Sequence, residues 1–337
     1  MRPIRDIRVS LPRRALLLAP LLAAGPLARA HAASAIRVGT LRFGTVGWEL
    51  DVMRRHGFDA QAGVAVTPVE FAASQATQVA LQAGGVDVIF QDWLWVSRQR
   101  GSGADWTFAP GSSAVGAIVA PDASPVHGVA DLPGRRLGIA GSPLDKSWLI
   151  LRAYAGQRFG IDLDQRVDKA FGPPPLLAEQ LKAGRLDAAL TYWPFVARAE
   201  AAGMRRVLAV EDAIEGLGIP PGIPVVGWVF SEGWAAKNRS TAQGFIAAAQ
   251  QARAVLATSD AEWERIAPLT GAANPAELAK LRDWYRRGIP SAWTQTEQDA
   301  AGRLYDILAG IGGPALVGAA PHVSPGTFWQ AGDVTPG

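Results

Sequence analysis

The chain has 337 residues, 49% of them apolar and 19% charged, enough to bury one or two sizeable cores. It holds no cysteine, which excludes a disulfide framework, a thiolate metal site and a cysteine nucleophile. The formal charge of +3 is no nucleic-acid footprint, because residues 1–32 carry six arginines and one acid, and without them the 33 basic and 30 acidic residues fall to 27 and 29.

Residues 1–32 read as a secretory signal: a basic start, the uncharged run ALLLAPLLAAGPLA at 15–28, then the small-residue pattern ARAHA ending at Ala32. The run is interrupted by proline and is short for a membrane span, which needs roughly 20 apolar residues. The arginine pair in LPRRALLLAP leaves a general-secretion and a twin-arginine route both open. A periplasmic protein beginning near Ala33 is expected.

The mature chain then alternates β-branched runs with helical patterns. AIRVGTL (35–41) is a strand, followed by a helix near 46–56 in which Val46, Leu50 and Met53 share a face. VAVTPVEF (64–71) is the next strand, and ASQATQVALQAG (73–84) a helix stopped at Gly84 and Gly85. Strand VDVIF (86–90), a helix near 93–100 and strand AVGAIVA (114–120) complete the first pass. The second runs RLGIA (136–140), helices near 145–159 and 174–183, LDAAL (186–190) and a helix from Pro194. Helices are also expected at 240–257 and 296–309, and the glycine- and proline-rich tract 307–332 closes the chain as a helix end and loops. Such alternation predicts parallel sheets covered by helices.

One sentence is written twice. LQAGGVDVIF starts at Leu81 and LKAGRLDAAL at Leu181, each a helix end, a glycine stop and a strand, followed by QDWLW (91–95) and TYWPF (191–195). Two α/β lobes on one plan are implied, with Asp87 and Asp187 fixing the turns. Ligands bind beyond the carboxyl ends of such strands, so facing lobes make a cleft.

The succession IRVGT, LQAGGVDV, GVADLPGRRLGIAGSP and LLAEQLKAGRLDAALTYWP resembles the periplasmic substrate-binding proteins of ABC importers in the nitrate, taurine and sulfonate group, over about 35–235. The resemblance implies a type II periplasmic-binding fold, two α/β lobes with a ligand cleft between them. It also implies a small-molecule ligand, an ABC permease and its ATPase as partners, and neither cofactor nor nucleic acid; a monomer is expected. The division expected is a signal at 1–32, lobe one at 33–120, lobe two at 121–222, and a return with C-terminal helices on lobe one at 223–337. The chain departs from the family in RFGTVGWEL and in the acidic SPLDKS, so the ligand is not inherited with the fold.

Loops after strands supply the candidate ligand contacts. Lobe one offers Phe43, Gly44, Thr45 and Trp48, the helix start at Ser74 and Gln75, and then Gln91, Asp92 and Trp93. Lobe two offers Ser142, Leu144, Asp145, Lys146 and Trp148, then Thr191, Tyr192 and Trp193, with Trp228 on the return. Equivalent places in the repeat predict Trp93 and Trp193 as rings approaching a ligand from opposite lobes. Packing is the competing role for each tryptophan, and helix capping for Asp145. His31 leaves with the signal or stays at the chain terminus, and His56, His127 and His322 lack metal-ligand spacing. No nucleophile elbow, paired acid–base set or phosphate loop appears, so an enzyme is not expected. A pyrimidine-precursor synthase on this fold is the enzymatic alternative, with Lys146 as its one plausible loop lysine; a periplasmic sensor partner is the other. Acids and tryptophans in the loops favour a zwitterion, an amine or a heteroaromatic solute over a bare anion.

Overall fold

The computed structural model describes residues 33–42 and 44–330. The expected signal at 1–32 and the candidate Phe43 lie outside the described residues. The chain begins with β1 (Ser34–Leu41), α1 (Val46–Arg55), α2 (Phe58–Gln61), β2 (Val64–Phe71), α3 (Ser74–Gln82), β3 (Val88–Asp92), α4 (Trp93–Gly101) and β4 (Trp106–Ser112). It continues with β5 (Gly116–Ala120), β6 (Arg136–Ala140), α5 (Lys146–Phe159), α6 (Leu163–Arg166), β7 (Asp168–Gly172), α7 (Pro174–Lys182), β8 (Ala188–Tyr192), α8 (Trp193–Ala201), β9 (Arg205–Ala209) and α9 (Val210–Gly216). Last come β10 (Val226–Ser231), α10 (Glu232–Lys237), α11 (Arg239–Thr258), α12 (Asp260–Thr270), α13 (Pro275–Arg287) and α14 (Gln295–Val317).

Two five-stranded sheets result, ordered β2-β1-β3-β10-β4 and β7-β6-β8-β5-β9. The repeat places β1 and β6, β3 and β8 in equivalent registers, Gly39 opposite Ile89 and Gly138 opposite Ala189. Gly84 and Gly184 end the helices with φ of 69° and 68°, a left-handed turn that suits glycine. Just beyond, Asp87 and Asp187 act alike but not on the glycine turn as expected. Each carboxylate accepts the backbone N–H of an arginine on the neighbouring strand, Arg37 or Arg136, at 2.8 Å. It also accepts from that arginine's guanidinium, at 2.7 Å for Asp87 and 3.4 Å for Asp187. The backbone N–H of Arg136 is the main reason the Asp187 carboxyl sits below its ordinary range. The aspartates therefore staple β3 to β1 in one lobe and β8 to β6 in the other.

Three sequence expectations change. Strand 114–120 belongs not to lobe one but, as β5, to the second sheet, so the chain crosses at 113–115 rather than 121–128. Neither sheet is all-parallel. In the second sheet β5 runs antiparallel to β8 and β9, and in the first β10 runs antiparallel to β3 and β4. The C-terminal helices also reach beyond lobe one. On α1, Glu49 accepts from Tyr285 of α13 at 2.7 Å and from Arg253 of α11 at 3.4 Å, all three buried. On lobe two, Arg198 of α8 pairs with Glu277 of α13 at 3.0 Å and donates to the Thr270 carbonyl at 2.8 Å. These helices brace both lobes.

Candidate functional site

The carboxyl ends of β1, β3, β6 and β8 face one another, and the loops beyond them enclose two chambers. A polar one of about 270 Å³ is lined from lobe one by Gln75, Gln78, Asp92, Trp95 and Arg98, and from lobe two by Gly141, Ser142, Leu144 and Asp145. A more apolar one of about 220 Å³ is lined by Leu41, Gly44, Thr45, Val46, Phe90, Val115, Trp193, Pro194, Phe195 and Val226. Ser74, Gln91, Lys146 and Tyr192 stand on the walls of both and form the neck between them.

Short local rules build the neck. Asp145 caps α5, its Oδ1 accepting from the Ser147 N–H at 2.8 Å, which leaves Oδ2 to accept from the Tyr192 hydroxyl at 3.0 Å. Burial, then the charges of Asp145 and Asp92, push that hydroxyl far above its ordinary range, so it is a permanent donor. Gly141 makes room for the pair: its φ is 93°, and a Cβ there would come within 2.8 Å of the Tyr192 hydroxyl and 2.9 Å of Asp145 Oδ2. Across the neck Ser74 donates to Gln91 Oε1 at 3.4 Å, and the same oxygen accepts the Asp92 N–H at 3.2 Å. Asp92 caps α4 by accepting the Trp95 N–H at 2.8 Å. Lys146 stands 6.0 Å from the Tyr192 ring centroid, with its ammonium toward the neck. Each lobe thus presents one acid fixed by a helix cap, with a cation nearby, Arg98 on lobe one and Lys146 on lobe two.

The crossover behind the apolar chamber is clamped by a half-buried acid. The Val115 N–H donates to Glu211 Oε1 at 2.6 Å, while Ser113 N donates to the Gly288 carbonyl at 2.9 Å. Burial pushes the Glu211 carboxyl up to about 7, against the opposing pull of the Val115 N–H.

Among the candidates, Gly44, Thr45, Gln75, Gln91, Asp92, Ser142, Leu144, Asp145 and Tyr192 come together on these walls, with Lys146. The tryptophans divide. Trp93 is 0% exposed, donates its indole N–H to the Pro224 carbonyl at 2.9 Å and packs against Tyr305 and Phe328, so the facing-ring expectation fails on lobe one. Trp228 is sealed between Phe90 and Phe245, and Trp148 packs on Phe171. Trp48 is core as well, its indole donating to the Leu269 carbonyl at 3.2 Å beside Trp193, Trp263 and Tyr285. Of the five candidate tryptophans Trp193 alone reaches a chamber, at 7% exposure, while Trp95, which was not a candidate, lines the polar one. Thr191 also departs from expectation, since alternation along β8 turns it away from the neck while Tyr192 faces it. Helix periodicity would have found two residues that sequence reasoning missed: Gln78 lies one turn beyond Ser74 and Gln75, and Arg98 one turn beyond Trp95. Leu316 carried no such signal, because it reaches the polar chamber beyond a kink of α14 at Gly313, where φ is 57°.

Among the described residues no histidine lines either chamber, no cluster of acids or histidines has a metal-holding arrangement, and no helix is long and apolar enough to cross a membrane.

Residues 121–270 match the model of the NMT1-like family. Of solved structures, the chain is similar to the alkanesulfonate-binding protein SsuA from Xanthomonas axonopodis pv. citri bound to MOPS, at 19% identity over 88% of this chain and 98% of that one, with a TM-score of 0.69. It is similar to the periplasmic aliphatic sulphonate binding protein SsuA from Escherichia coli at 19% identity, over 88% and 98%, with a TM-score of 0.68. It is also similar to the desulfurization enzyme DSZB, at 16% identity over 82% and 92%, with a TM-score of 0.55. At these identities the likeness establishes the fold. No curated protein matches the chain. The family match and the fold bear out the resemblance to substrate-binding proteins of the nitrate, taurine and sulfonate group.

Proposed function

We propose that this protein is the solute-binding component of an ABC importer, exported to the periplasm by the signal at 1–32. As a monomer it captures one small organic solute between its lobes and delivers it to a membrane permease driven by an ATPase. The observation that carries this reading is the neck: Ser74 and Gln91 of one lobe and Lys146 and Tyr192 of the other stand on the walls of the same two chambers. A solute held there contacts both lobes, so its binding energy is available to hold them together. The printed ligands of the similar binding proteins, an alkanesulfonate and an aliphatic sulphonate, make a small organic anion the first class to try. Asp92 and Asp145, set beside Arg98 and Lys146, favour a zwitterion or a polar heteroaromatic over a bare anion, because carboxylates on the walls repel an anion.

Thermal-shift screening across sulfonates, amines and pyrimidines tests the reading. A solute that binds only the folded chain stabilises it by about 2.7 kcal/mol at 100 times its Kd. The expected result is a hit whose calorimetric affinity falls about tenfold or more in Gln91→Ala and in Lys146→Ala. No hit in any class, or hits indifferent to both substitutions, would contradict it.

A further inference from the structure

The apolar chamber has a neighbour. Behind the first turn of α8 lies a third cavity of about 330 Å³, apolar at Leu177, Ala178 and Leu181 of α7, Ala189 of β8 and Ala199 of α8, with Arg198 and Glu277 on its wall and the exposed Glu179 and Lys182 at its mouth. Thr191 lies on its floor, and the Thr191 hydroxyl is buried without a partner among the described residues. Buried hydroxyls are ordinarily hydrogen-bonded, so the unpartnered Thr191 hydroxyl points to an occupant.

One side chain is common to this space and the cleft. Phe195 is the one residue on the walls of both the third cavity and the apolar chamber. Its ring is only partly buried, with the Arg198 guanidinium 5.5 Å from its centroid. Arg198 is itself pinned, by Glu277 at 3.0 Å and by the Thr270 carbonyl at 2.8 Å. The partition is therefore a ring leaning on a fixed cation rather than a locked core residue, and turning a partly exposed side chain is a fast, local motion.

We propose that Phe195 is a movable partition that sets the length of solute the cleft accepts, and that the cavity behind it takes the apolar tail of an amphipathic solute whose polar head sits at the Gln91–Tyr192 neck. This rests on the reading of the cleft as a solute site. The walls run in the order such a molecule requires: polar chamber, neck, apolar chamber, ring, then a cavity with apolar sides at Leu177, Leu181 and Ala189 and a charged mouth at Glu179 and Lys182 where a polar tail end could reach water. A tail confined before the ring gains nothing from added length. Once the ring is displaced, each further buried methylene tightens binding about fourfold.

Calorimetric titration of straight-chain carboxylates from acetate to decanoate, and of the matching primary amines, tests this on the full mature chain. In the wild type affinity rises with length and then climbs less steeply, because a longer tail must first turn the ring aside. In Phe195→Ala the steep rise continues for several more carbons, and Phe195→Leu, which keeps an apolar side chain against Arg198, gives an intermediate limit. Adding Ala178→Phe to Phe195→Ala fills the rear cavity and takes the gain away. The same length limit in all three proteins, each with a native circular-dichroism spectrum, would overturn the inference. Should sulfonates, amines or pyrimidines stabilise the wild type while removing the ring gives no member of the chain series a gain, the cleft reading stands and this inference falls; should nothing bind wild type or variant, both fall.

Discussion

The two copies of the repeated unit fold alike and end differently. Residues 81–92 and 181–192 share a helix end, a left-handed glycine, an aspartate staple and a buried strand. At the next position, Trp93 and Trp193 both open a helix. Yet Trp93 is swallowed by the return segment and α14, through Pro224, Phe328 and Tyr305, whereas Trp193 is covered from α1 and α13 and keeps an edge on the apolar chamber. One position earlier the roles also part: Asp92 caps its helix, while Tyr192 caps nothing and its hydroxyl reaches the cap of another, Asp145. A repeat thus specifies the path of the backbone, and what packs on the outside of each copy decides which side chains are left for function.

The largest test of that difference is Trp93→Ala, which removes a wholly buried indole and should cost about 3–5 kcal/mol of stability in denaturant melts, with solute affinity of the folded protein unchanged. Trp193→Ala should lower stability and affinity together; affinity lost in the first and kept in the second would reverse the assignment. Next comes Glu211, a lobe-two acid on the crossover. Its folded pKa, about 7, lies above the unfolded value, so the stabilisation it gives is complete below the unfolded pKa and disappears as pH rises through about 7. Wild-type stability should therefore fall by up to about 3 kcal/mol more than that of Glu211→Gln between about pH 4 and 8. Parallel stability curves would remove the clamp from the account. The staples should give a smaller effect, about 1 kcal/mol each for Asp87→Ala and Asp187→Ala, larger for Asp87 because its guanidinium contact is 2.7 Å against 3.4 Å. Equal losses in chemical melts would mean that the backbone N–H bonds carry both. Tyr192→Phe should be the mildest, changing stability by less than about 1 kcal/mol while weakening solute binding severalfold, which calorimetry resolves.

Much of the fold was legible because local rules and the repeat agreed. The glycine stops, the two lobes, and the loops after strands that carry Gln91, Asp92, Asp145 and Tyr192 all follow from period and punctuation. The crossover was not, since WTFAPGSSAVGAIVA reads as one apolar stretch and only pairing partners reveal that Ser112 ends one sheet and Gly116 begins the other. The tryptophans were misassigned for the same reason. Whether a ring beyond a strand meets solute or core depends on elements more than 100 residues away, such as Pro224 and Tyr305 for Trp93, and no local pattern encodes them. The cavity behind Phe195 was equally invisible, since it exists only where α7 and α8 diverge over β8.

Hydrogen exchange measured with and without the best-binding sulfonate, amine or pyrimidine tests the central claim most directly, because it reports which backbone amides a solute protects. A solute held at the neck should protect residues 74–78 and 91–95 of lobe one together with 141–147 and 191–195 of lobe two. Protection confined to one lobe, or falling outside both sets at saturating solute, would contradict a site built between the two copies.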